Sequence, residues 1–90
     1  MPFDGGSLPQ VAQTLIEGRA RVARAWSQGR GRGPGGAVCA ALAVGCDPEA
    51  MTLLIKAIGC RCLPFWNDAP ERTQAEVLAA FDCALALVMP

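Results

Sequence analysis

The sequence predicts an all-α protein, a compact bundle of four helices, and three observations carry that prediction. Apolar residues recur at steps of three and four along two long segments, the spacing of a helix face. Helix-start signals stand before three of the segments: Ser7 with Gln10, Asp47-Pro48, and Thr73 with Glu76. No run alternates apolar and polar residues, so an isolated strand would find nothing to pair with. At 90 residues the chain reads as one domain, 1–90.

The first helix is expected over about 8–27. Ser7 caps it, and Pro9 sits where its missing N–H does no harm. Leu8, Val11, Ala12, Leu15, Ile16, Val22, Ala23 and Trp26 make its apolar face, interrupted by Arg19. Gly29–Gly36 is too rich in glycine for regular structure and reads as a flexible loop. Residues 37–44 are apolar apart from the thiol of Cys39. Their alanine content favours a short buried helix over a strand, stopped by Gly45. Asp47-Pro48-Glu49 opens a third helix over 48–58, with Met51, Leu54, Ile55 and Ile58 inward and Gly59 at its end. Cys60–Pro64 reads as an extended connector. The capping box Thr73–Glu76 starts the last helix, 74–88, with Val77, Leu78, Phe81, Ala84, Leu85 and Val88 inward.

Composition narrows the functional classes. Eight basic and eight acidic residues leave no net charge, which argues against broad electrostatic capture of nucleic acid or membrane. No run reaches the roughly 20 apolar residues needed to span a bilayer. The start of the chain lacks the pattern of a secretory signal, and five cysteines is an odd number. Free thiols in a cytoplasmic setting are therefore expected. Histidine is absent, which removes the commonest general base and metal ligand. With no paired carboxylates and no nucleophile beside a base, no enzymatic activity and no cofactor are expected.

Four groups could carry function. Phe65-Trp66-Asn67-Asp68-Ala69-Pro70-Glu71-Arg72 joins aromatic, amide, acidic and basic side chains in one turn. Trp66, Asn67, Asp68 and Arg72 are the mixture found at binding hot spots. The same residues could simply hold the fold, with Trp66 in the core and Asn67 and Asp68 bonded to nearby backbone N–H groups. Arg19, on an apolar stripe, either lies at its edge or pairs with Asp68 or Asp82. Cys39, Cys46, Cys60 and Cys62 do not match zinc spacing, so no metal site is expected. Cys39 and Cys83 read as buried thiols, and Cys60 and Cys62 as more exposed ones. Arg19, Arg21, Arg24, Arg30 and Arg32 form a local basic cluster without interleaved aromatics, a solvated surface or a weak nucleic-acid contact.

The run Trp66-Asn67-Asp68-Ala69-Pro70, followed by Arg72-Thr73, Glu76-Val77 and Phe81-Asp82, resembles the signature of an uncharacterised bacterial domain family. That family is associated with phage and prophage genes. Ala37-Val38-Cys39-Ala40-Ala41-Leu42 is similar to its second element. The resemblance runs from about Leu8 to Leu87 and is specific in the last third. This chain departs from it in a shorter, glycine-rich connection and in Glu71, where the family more often has glycine. The resemblance implies an all-helical fold and no reaction or ligand. The expectation is a non-catalytic, phage-linked protein-interaction module that self-associates. The alternative is a nucleic-acid-associated regulator acting through the Arg19–Arg32 cluster.

Overall fold

The structure, a computed structural model, describes residues 9–28, 39–45 and 47–89. Helices stand in all four expected places: α1 (Gln10–Arg24), α2 (Ala40–Val44), α3 (Pro48–Ile58) and α5 (Gln74–Val88). A further short helix, α4 (Leu63–Asn67), occupies part of the expected connector. The expected Ser7 cap, residues 37–38, the 29–36 loop, Arg30, Arg32 and Cys46 lie outside the described residues.

The start and stop signals act as their chemistry requires. Asp47 accepts hydrogen bonds from the N–H groups of Glu49 and Ala50, both at 3.1 Å. The Thr73 hydroxyl accepts from Glu76 N–H at 3.2 Å, and the Glu76 carboxylate accepts from Thr73 N–H at 2.9 Å, so the capping box closes in both directions. Gly59 stops α3 with φ 69°, a left-handed conformation that costs glycine nothing. One end departs from expectation. α1 stops at Arg24 rather than near Ser27, because Ala25 turns to extended backbone. The Gln74 side chain then donates to two carbonyls left open there, Val22 O at 2.7 Å and Ala23 O at 3.3 Å.

α1 and α5 run antiparallel, with Gln74 at Val22 and Arg19 at Asp82. α5 also packs on α3, while α2 lies against α1 and α4. Phe81, Leu15, Leu54, Leu63, Val22 and Val77 are the largest apolar side chains fully withdrawn from solvent. Their burial is the main stabilising term, about 1.5–3 kcal/mol for each large side chain. The inner faces are somewhat different from those the spacing alone suggests. In α1, Ile16 and Ala23 face outward, while Gly18 is buried against α2 and α5. A Cβ at Gly18 would lie 2.9 Å from Phe81 Cε2 and 3.0 Å from the Ala43 carbonyl oxygen, so three helices meet closely there. In α3 and α5, Ala50 and Ala80 join the core, and Met51, Ile55, Ile58, Leu78, Leu85 and Val88 are half-buried.

The α3 cap also ties stability to pH. The Thr14 hydroxyl, with the Ala50 and Glu49 N–H groups, holds the Asp47 carboxyl below its ordinary pKa. A lowered pKa means that the folded state binds the proton more weakly than the unfolded one. The contribution is complete above the ordinary carboxylate value and is lost as pH falls through the lower folded value. Asp47→Asn should therefore soften the acid limb of stability below about pH 4 while leaving neutral pH little changed, since asparagine also caps. Thermal melts of both proteins from neutral to strongly acid pH check this. Parallel acid limbs would refute it.

Candidate functional site

The site is the segment from Leu63 to Thr73, where the chain turns from α4 into α5. Leu63 anchors it in the core, and Pro64 sits in the first turn of α4, where a missing N–H is harmless. Trp66 N–H donates to Cys62 O at 3.0 Å, and Asp68 N–H donates to Pro64 O at 3.0 Å. Pro70 disfavours helical backbone at Ala69, and the helix gives way to turns closed by Ala69 N–H on Trp66 O and Arg72 N–H on Ala69 O.

Asn67 is the centre of this turn. It is fully buried, and all four hydrogen-bonding positions of its amide are filled. Oδ1 accepts from the Trp26 indole N–H at 2.8 Å and from Ala40 N–H at 3.1 Å. Nδ2 donates to Ser27 O at 3.0 Å and to Asp68 Oδ1 at 3.0 Å. Its backbone carbonyl accepts from Gln28 Nε2, which also donates to Ala69 O at 2.7 Å. One side chain thus binds the chain just after α1, the start of α2 and its own turn. Ser27 and Ala40 flank the glycine-rich connection, and both are tied to this amide.

Trp66 and Arg72 form a second unit beside it. The Arg72 guanidinium lies over the Trp66 ring, 4.0 Å from its centroid. Arg72 Nε donates to Trp66 O at 3.0 Å, and Nη1 approaches Glu76 Oε1 at 3.6 Å. The Arg72 side chain is only 17% exposed, so the stacking is partly desolvated and worth about 1–2 kcal/mol. Phe65, one residue earlier, is 74% exposed, the most exposed large apolar side chain described.

The four expected binding residues therefore come together but divide their roles. Trp66 is half-buried at the margin of the core, not its central plug. Asn67 bonds to residues roughly 25 to 40 positions away, not to neighbouring N–H groups. Asp68 is exposed and supports Asn67, while Arg72 is engaged with the indole. The sequence reading missed Gln28 and Gly18, placed Gln74 only at the start of the last helix and Trp26 only on a helix stripe. A partly buried tryptophan needs a partner for its N–H, and that requirement was the one available pointer to the Asn67 network.

Of the basic cluster, Arg19 pairs with Asp82 rather than Asp68, through Nε–Oδ1 at 2.6 Å and Nη2–Oδ2 at 3.2 Å. That hydrogen bond, opposed by partial desolvation, raises the Arg19 guanidinium above its ordinary pKa. The pair lies at the surface, where such bridges contribute at most about 1 kcal/mol. Arg21 and Arg24 are exposed in the last turn of α1. Cys83, expected to be buried, is exposed because it lies two residues from Phe81, on the opposite side of α5; Cys39 is half-buried. Cys60 is half-buried and Cys62 exposed. Among the described residues no three cysteine or acidic side chains converge on one point.

These features define a small all-α domain organised by a buried asparagine, with an aromatic turn displayed beside it. The chain belongs to the family of unknown function DUF6197, whose model matches residues 7–87. No curated protein and no solved structure matches it.

Proposed function

We propose that this protein is a non-catalytic protein-interaction module whose contact surface is the α4 turn, with Phe65 as its anchor. The observation that carries this reading is the exposure of Phe65 on a turn held rigid from below. Leu63 and Asn67, two residues to either side, are both buried. A large aromatic side chain carried on a backbone already held in place has less to order on binding, the property of a binding anchor. Trp66 and Arg72 form the supporting wall, and Asn67 and Asp68 set the turn beneath them. Self-association is the simplest form of this function, and the resemblance set out above favours a phage- or prophage-linked, cytoplasmic setting in a bacterium.

The test is a comparison of wild-type and Phe65→Asp baits in pull-downs from the native host. The reading expects proteins, this chain among them, that are retained by the wild type and lost with the variant, at unchanged helical content by circular dichroism. Identical retained sets would end it. The genes flanking this one test the phage setting independently.

A further inference from the structure

Resting on that reading, we infer that the occupant of the α4 surface is a second copy of this chain, docked α4 against α4 across a two-fold axis. In this arrangement Phe65 meets its counterpart, and Arg61 of each copy faces Glu71 of the other.

The charge order along this segment carries the inference. Arg61 precedes α4 and Glu71 follows it, and both are exposed. Arg61 stands two residues before α4 and Glu71 four residues beyond it, so neither charge sits in a terminal turn of the helix. Neither residue takes part in an ion pair among the described residues. Both charges are thus exposed and unpaired among the described residues. Laid antiparallel against a copy of itself, the same segment brings plus to minus at both ends, with Phe65 between them. That is the self-complementarity a two-fold interface requires, where residue i meets j and j meets i. A net charge of zero leaves no overall repulsion between copies.

The backbone beneath Phe65 is held in place, and its flanks are apolar. Pro64 and Pro70 are exposed on either side of Phe65 and add surface without adding mobile side chains. Phe65 supplies only about 150–200 Å² of contact, against roughly 800 Å² per partner in a standard interface. The dimer is accordingly weak and concentration-dependent.

Sedimentation equilibrium over a wide concentration range tests the arrangement. Wild type should dimerise reversibly, and Phe65→Ser should raise the dimer Kd at least about tenfold. Arg61→Glu and Glu71→Arg should each weaken the dimer, and the double variant should regain most of the loss, since each facing pair is then restored with its signs exchanged. A double variant no tighter than the weaker single variant would overturn the pairing, as would a wild type monomeric at every concentration. All three positions are exposed, so circular dichroism should report an unchanged fold. Should the chain remain monomeric while Phe65→Asp still loses a different protein in the pull-down, the interaction reading stands and the self-pairing falls.

Discussion

Asn67→Asp is expected to destabilise the domain by about 3 kcal/mol or more. The two side chains have the same shape, so the change alters hydrogen bonding and charge with little change in packing. Asparagine uses two acceptor bonds, from Trp26 and Ala40, and two donor bonds, to Ser27 and Asp68. Aspartate keeps the acceptors and loses both donors. An ionised carboxylate would face the Ser27 carbonyl and the Asp68 carboxylate at hydrogen-bonding distance, inside the protein, where repulsion is poorly screened. Protonation relieves the charge but restores only one donor. A domain of this size has a total stability of about 5–10 kcal/mol, so the loss is a large share of it. The melting temperature should fall by more than about 10 °C. The tryptophan emission should shift as well, because the Trp26 indole N–H then faces a carboxylate instead of an amide oxygen. A variant melting within a few degrees of wild type would show that the amide network contributes little.

The second large effect is expected at Gly18. Gly18→Val should destabilise by about 3 kcal/mol, the upper part of the range for overpacked sites. Helix propensity alone predicts a small gain, a few tenths of a kcal/mol, because glycine is the poorer helix former. Packing decides the sign. The first added carbon would stand 2.9 Å from Phe81 Cε2 and 3.0 Å from the Ala43 carbonyl oxygen. Phe81 is fully buried and the Ala43 atom is backbone, so neither can swing aside without moving a helix. Valine adds two methyl groups at the same place. Urea unfolding monitored by circular dichroism measures the change, and a midpoint at or above that of wild type would mean that α1 can shift away from α2 and α5 at little cost.

The starts of α3 and α5 were legible because a cap is a local device: Asp47 and Thr73 bond to N–H groups two or three residues on, within reach of a sequence pattern. The end of α1 was not legible, because its last carbonyls are satisfied by Gln74, about fifty residues away. Phe65, Trp66 and Arg72 were visible as a group because they are neighbours in the chain. Their division into an exposed Phe65 and a half-buried Trp66 and Arg72 followed from the direction in which α4 turns. Arg19 was legible as an edge residue with two possible partners, and only the antiparallel docking of α1 on α5 selected Asp82.

The sequence by itself determined α1, α2, α3 and α5, their order and most of their ends, because propensity, periodicity and capping act over a few residues; the short α4, within a segment that reads as an extended connector, was not among them. It also determined that the turn after α4 would carry unusual chemistry. Tertiary structure alone decided that Asn67, rather than the adjacent indole, sits at the centre, and that a glycine in mid-helix is a contact point. Both depend on which groups meet across the fold. A buried amide must find four partners in three dimensions, and a missing side chain matters only where another helix comes close enough to need the space.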